Sequence, residues 1–362
     1  MNKYPVLACL LVSSGAFTQS QKPQQPKPVY FEQGMGLKEE KIDSNPLYPT
    51  AYNAPASIHV DRTWDVSANA SFLFWYMSEE GLDLMHVTPV LETTGAVAYQ
   101  NFNYNPGFQV GLGVHTNRDG WVVNAEYTWY HNKESQSNII APADVHGWTN
   151  NGMVFPAIRG TYKTFDSSWL LHLDQVDLVA GRPYYQGKRV IISPMGGLRG
   201  LWIRQTEKVV SHNPAMPDDY YTAGSHSWAV GPVAGANGRL MLWKGFRVDS
   251  LFAASLLYTN YTSIHMSLHN LTGTHATHIG HNYLAFDDIT RARATVETGL
   301  GLGYGSYFWS KKFYLDLSLR YDFHLFWAQN MMRDVFDALC VMPAGAGDLV
   351  LHGLTINLRG DF

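Results

Sequence analysis

The sequence predicts an all-β fold: a transmembrane, antiparallel up-and-down β-barrel of about ten strands, with short periplasmic turns and long extracellular loops. Three observations predict it. Apolar and polar residues alternate from residue 64 to the end, in segments longer than the five or six residues usual for soluble strands. The connections between segments are tight and long in turn. Ten of the eleven Trp fall near a predicted strand end, and only Trp148 lies mid-loop. Amphipathic rings prefer a membrane interface, so two Trp girdles are what a barrel requires.

Composition agrees. Charged residues are 15% against about 25% in typical soluble domains, aromatics reach 14%, and there are 32 Gly. Net charge is 26 − 30 = −4, which gives no basic footprint for nucleic acid. Mean hydropathy is −0.17, and no apolar run is long enough for a helical span. Alternation hides a barrel's hydrophobicity from such averages.

Residues 1–16 read as a signal peptide. Lys3 supplies the charge, residues 6–12 the apolar core, and Ser14-Gly15-Ala16 a small-x-small cleavage site. Removing this segment removes Cys9 and leaves Cys340 alone, so no intramolecular disulfide is expected. Residues 17–60 read as a periplasmic linker, because Pro23, Pro26, Pro28, Pro46, Pro49 and Pro55 interrupt regular structure. Whether it hangs free or folds into the cylinder as a plug is open. Residues 61–362 form the expected barrel.

The first strand places Trp64, Val66, Ala68, Ala70, Phe72, Phe74 and Tyr76 on one face, with Asp65, Ser67, Asn69 and Ser71 on the other. Phe108, Val110, Leu112 and Val114 alternate with Gln109, Gly111 and Gly113 in the second. Trp121, Val123, Ala125, Tyr127 and Trp129 mark the third, and a weaker pattern near 168–182 the fourth. Residues 189–204, 227–243 and 246–262 continue it. The clearest are 292–304, where Gly and charge alternate with apolar residues, and 313–327, with Phe, Leu and Tyr opposite Asp and Arg. The tenth is 349–362, with Leu354, Ile356, Leu358 and Phe362 sharing a face against Thr355, Asn357, Arg359 and Asp361. Residues 82–91 can hold another strand, so twelve stays open.

Tight turns are expected at Asn117-Arg118-Asp119-Gly120, Gln186-Gly187-Lys188, Lys244-Gly245 and Ser310-Lys311. Long polar loops are expected near 78–104, 132–167, 206–225, 264–289 and 329–347. An even strand number puts both termini on the periplasmic side. A soluble sandwich is the competing reading of alternation alone.

Several segments carry a resemblance. Gly107-Phe108-Gln109-Val110-Gly111-Leu112-Gly113, then Asp119-Gly120-Trp121 and Glu126-Tyr127-Thr128-Trp129-Tyr130-His131, are of this kind. So are Val176-Asp177-Leu178-Val179-Ala180-Gly181-Arg182 and Gly197-Leu198-Arg199-Gly200-Leu201-Trp202. Together they resemble the Legionella-type major outer-membrane protein family, shared with chlamydia-like bacteria, over roughly 64–362. The resemblance implies a pore-forming barrel in the outer membrane of a Gram-negative cell. The Cys-rich, cross-linked chlamydial pattern is not matched, because only Cys340 remains.

The candidate site is the lumen. Its expected lining is Arg199, Arg239, Arg247, Arg291, Arg293, Glu297, Asp316, Arg320, Asp322 and Arg359. With Arg189 the inward cations number eight. Asp65, Glu126, Asp177, Asp249 and Asp361 bring the inward acids to eight as well. A balanced lining predicts paired charges rather than strong ion selectivity. Arg291, Arg293, Glu297, Asp316 and Arg320 are expected to form one cluster. Ten strands imply a narrow pore or none. The expected function is therefore passive passage of small solutes or ions. A structural or adhesive surface barrel with a filled lumen is the alternative.

Other chemistry has weaker signals. His265, His269, His275, His278 and His281 gather at a strand end and the next loop, where a polar surface loop explains them better than a metal. His172 with Asp174, or Asp322 with His324, has the spacing of an acid–base pair, but no motif marks a nucleophile. No enzyme, metal or cofactor is expected. The expected partners are outer-membrane lipid, the insertion machinery reading the last strand with Phe362, and small solutes or ions; homo-oligomerisation is left open.

Overall fold

The computed structural model describes residues 65–87, 96–116, 120–140, 149–150, 153–154, 164–213, 216–269, 281–286, 288–309, 311–332 and 346–362, with Ala56, Ile58 and Val60. The signal-peptide segment, nearly all of the linker and Cys340 lie outside these residues. Every regular element among the described residues is a strand.

Ten strands close into the cylinder. They are β1 (Val66–Glu79), β2 (Tyr104–His115), β3 (Val122–Ile140), β4 (Thr164–Gly181), β5 (Val190–Asn213), β6 (Met216–Trp243), β7 (Phe246–His269), β8 (Ile289–Phe308), β9 (Phe313–Asn330) and β10 (Gly347–Asp361). Each pairs antiparallel with the next in sequence. The last pairs with the first, from Ser67↔Asp361 to Glu79↔Leu349. Phe362 extends this seam, its N–H donating to the Val66 carbonyl at 2.9 Å. Closure leaves no open edge, the condition for strands to cross lipid.

Ten strands settle the count. Residues Asp83–Val87, within the stretch that could have held an eleventh barrel strand, pair with Ala96–Tyr99 in a separate four-stranded sheet. Tyr184–Gln186 and His281–Phe286 add short strands to β5 and β7.

The outer wall is apolar throughout its middle. Leu112, Leu198, Leu256, Leu300, Leu302 and Ile356 are all exposed on the outside, Leu300 by 63%. A wall of this kind needs lipid to cover it. At the turn side Trp121, Trp243 and Trp309 stand exposed, and at the loop side Trp202, Trp228 and Trp327. Trp64 and Trp148 lie outside the described residues.

Two tryptophans depart from the expected girdles. Trp75 and Trp169 are buried inside the barrel. The reason is strand parity: Trp75 is out of phase with Phe72, Phe74 and Tyr76 on β1.

Of the tight turns, Gln186-Gly187-Lys188 and Lys244-Gly245 fall where expected, whereas Asn117, Arg118, Asp119 and Ser310 lie outside the described residues. Lys244 and Gly245 both have positive φ (46° and 88°), the requirement of a two-residue type I′ hairpin. The Lys244 ammonium lies 4.4 Å from the centre of the Trp243 ring. The expected long loop at 206–225 is different. β5 and β6 stay paired through Lys208↔Thr222 to Ser211↔Asp219, so β5, β6 and β7 run 24, 28 and 24 residues. Polar residues on both faces hid this stretch from the alternation test, since beyond the membrane the outer face meets water.

Candidate functional site

The inside of the barrel is layered along its axis. The layering follows which residue type each strand places inward at each level.

On the turn side the lining is charged. Arg247 on β7 makes a bidentate pair with Asp316 on β9, one arm at 2.7 Å, and donates through Nε to Asp249 at 2.6 Å. Arg239 approaches Asp249 at 3.8 Å. Arg359 holds Asp361 at 2.7 and 3.0 Å, and His115 Nε2 meets the same carboxylate at 3.1 Å. Glycine on β8 makes the space. A Cβ on Gly303 would stand 2.3 Å from Asp249 Oδ2, and one on Gly299 would stand 2.2 Å from Asp322 Oδ1. The Gly-Leu-Gly alternation of β8 thus leaves room for neighbours' long side chains.

The middle layer centres on Arg199 of β5. Its guanidinium forks onto Asp177 of β4 at 2.7 and 2.8 Å and reaches Glu297 of β8 at 2.5 Å. Gln175 donates to both carboxylates, and His324 Nδ1 lies 3.4 Å from Glu297. Arg320 pairs with Asp322 at 2.5 and 3.1 Å. Glu126 accepts from Gln109 and Asn69 at 2.8 and 3.2 Å. Arg199 is 2% exposed, so this triad is buried, and its carboxylates share one guanidinium.

The loop-side half holds an apolar cluster with buried polar residues among it. Leu73, Trp75, Met77, Tyr130, Leu171 and Leu351 belong to a single buried cluster, none of them more than 3% exposed. Trp75 donates through Nε1 to Thr355 at 3.1 Å, and the Tyr130 hydroxyl donates to the Trp75 carbonyl at 2.8 Å. Level with Leu171, Gln205 donates to Glu79 at 2.7 Å.

All ten expected lining residues lie on inward-phase positions of their strands, but they do not act as one group. Arg293 donates to the Tyr261 hydroxyl at 3.0 Å and the Met331 thioether at 2.8 Å. Arg291 is exposed at the loop end and bonds the Thr290 carbonyl. The expected cluster of Arg291, Arg293, Glu297, Asp316 and Arg320 is therefore divided among different partners. Register explains it: Arg320 sits opposite Gly301, eight residues along β8 from Arg293 and so about 26 Å away.

Residues 59–362 match the family described as Legionella pneumophila major outer membrane protein precursor. The chain belongs to the Legionella major outer membrane protein family. As a member of that family with a closed barrel, it resides in the outer membrane. Among curated proteins, none matches the chain. Solved structures similar to it include the outer membrane protease OmpT from Escherichia coli, at 10% identity over 82% of this chain and 96% of that one, TM-score 0.38. The Pseudomonas putida toluene transporter TodX is 7% identical over 82% and 89%, TM-score 0.26. Likeness at these scores carries no argument about the site.

In this Legionella-family barrel the apolar inner half is what sequence reasoning missed. The signal was present in Phe72-Leu73-Phe74-Trp75-Tyr76-Met77, where both strand phases are apolar. A strand buried on both faces reads that way, whereas one facing water inside does not. The other candidates are scattered. His172 and Asp174 lie on the outer wall, and His324 pairs with Glu297 inside. His265 bonds Ser263 at 3.2 Å. His275 and His278 lie outside the described residues.

Beyond the membrane, His212 near the end of β5 meets Asp218 at 3.0 Å and Asp166 at 3.2 Å. The hydrogen bond to Asp218 raises its pKa above the ordinary value, against partial burial, with Asp166 adding to the rise. A raised folded-state pKa gives stability that is full below the ordinary His range and lost as pH rises through the raised value. Amide exchange at the β5–β6 hairpin end should therefore be slower at about pH 5.5 than at about pH 8.5 after correction for intrinsic rates. His212→Ala should erase the difference. An equal difference in the variant would remove His212 as its source.

Proposed function

We propose that the protein is an outer-membrane support barrel with a closed lumen, which holds its long strand extensions and loops at the cell surface. The burial of the Leu73–Trp75–Tyr130 layer carries this reading. Large apolar side chains fill the inside of the barrel at that layer, and apolar constrictions exclude water. No catalytic role is part of the proposal. Its partners are outer-membrane lipid, the insertion machinery at the closing strand with Phe362, and whatever the surface loops meet.

The test is single-channel recording in planar bilayers, with folding verified by heat-modifiable migration. Folded protein should give no conductance steps. Reproducible steps would support the second reading instead, a narrow porin passing small solutes or ions. One observation favours that reading: Arg239, Arg320 and Arg359 keep 31, 26 and 19% of their side-chain surface, so the turn-side half is partly solvated. If steps appear, Arg320→Ala should shift ion preference toward cations.

A further inference from the structure

The outer wall of β3 to β6 changes character just beyond its Trp row. Trp129, Asp174, Trp202 and Trp228 are direct neighbours across these four strands. Two residues nearer the loops, His131, His172, Arg204 and His226 form the next row, again in register. The His131 and His172 rings stack with centroids 4.3 Å apart. Lys133 and Lys208 follow within four further residues on the same outward face.

The charge of this band is one-sided. Arg204 and Lys133 are exposed and have no ion-pair partner among the described residues. Lys208 lies 4.8 Å from the centre of the Tyr220 ring. The acid in the row below, Asp174, is already engaged by the Tyr127 hydroxyl at 2.6 Å and His131 at 2.8 Å. Around the loop-side rim of β1, β2, β9 and β10, the outer wall instead carries Tyr76, Tyr104, Phe323 and His352 as a ring cluster, with no Lys or Arg among the described residues.

Depth and spacing identify what would sit there. Interface Trp mark the boundary between hydrocarbon and headgroups. Arg204 is two residues beyond Trp202, about 7 Å along the strand, which is headgroup phosphate depth. Arg204 and Lys208 are about 13 Å apart along β5, a span suited to a headgroup with more than one phosphate. The Thr206 hydroxyl and the Tyr220 ring beside them suit sugar. We infer that the outward face of β3 to β6, through Lys133, Arg204 and Lys208, binds the phosphates of an outer-leaflet phosphoglycolipid. An aromatic girdle would be enough for general lipid contact, whereas unpaired cations on one side of the wall fit an anionic headgroup held in one place.

Native mass spectrometry of the full-length protein in micelles tests this with three probes: diphosphoryl lipid A, dephosphorylated lipid A and phosphatidylglycerol. One diphosphoryl lipid A should remain bound per barrel. Dephosphorylated lipid A and phosphatidylglycerol should each be retained at least tenfold less. The combined Lys133→Ala, Arg204→Ala and Lys208→Ala variant should lose at least tenfold of the diphosphoryl form while keeping heat-modifiable migration. Equal retention by that folded variant overturns the inference. So does equal retention of the dephosphorylated lipid or of phosphatidylglycerol by the unaltered protein, an arm that does not depend on any variant folding.

Discussion

Arg199→Ala is expected to destabilise the barrel by about 3–5 kcal/mol, the cost of leaving buried charge without its partner. The substitution strands Asp177 and Glu297, which face each other across the lumen through one guanidinium. Their remaining donors are Gln175 and His324, and neither replaces a fixed positive charge. Urea unfolding in micelles would measure the loss. Neutralising the acids in the same chain, with Asp177→Asn and Glu297→Gln, should recover most of it, because a buried triad removed as a whole costs far less than one broken. A single variant within about 1 kcal/mol of the unaltered protein would show the triad to be hydrated and its charges screened.

Trp75→Ala should cost a similar amount, about 3–5 kcal/mol, for a different reason. Trp75 is 3% exposed and packs against Tyr130 and His324 with ring centroids at 5.6 and 4.5 Å. Truncation empties the centre of the apolar layer and removes the bond to Thr355. Trp75→Phe separates the two effects, since it keeps most of the volume and loses the N–H. Its cost should be nearer 1 kcal/mol. If the alanine and phenylalanine variants unfold at the same urea concentration, packing at Trp75 does not hold the wall.

The cylinder was legible because one face of each strand must satisfy lipid. Leu300, Leu302, Leu317 and Leu319 carry a clear period of two, and the closing strand 349–362 carries it too. Family membership followed from the same segments. The lumen was harder to read. Lumen-facing residues answer to neighbours three or four strands away, as Arg199 does to Glu297 and Gln205 to Glu79, and such pairings have no local signature. The charges could be assigned to the inside by phase. Their partners could not, because register was unknown. Treating the inward phase as aqueous also hid Leu73 and Trp75, which sit between aromatic neighbours on both sides, and Met77 after them. The β5–β6 extension was missed because water on its outer face removes the contrast on which alternation depends.

That extension gives the molecule an uneven profile. Asn213 is eleven residues beyond Trp202, about 36 Å along the strand. With the usual barrel tilt this is about 28 Å of height above the interface. β1 ends at Glu79, four residues past the interior Trp75. Among the described residues the wall is therefore tall along β3 and along β5 to β7, since β3 too runs eleven residues past its Trp129, to Ile140. A force applied at the Asn213–Met216 end reaches the wall through the continuous backbone pairing of β5 with β6.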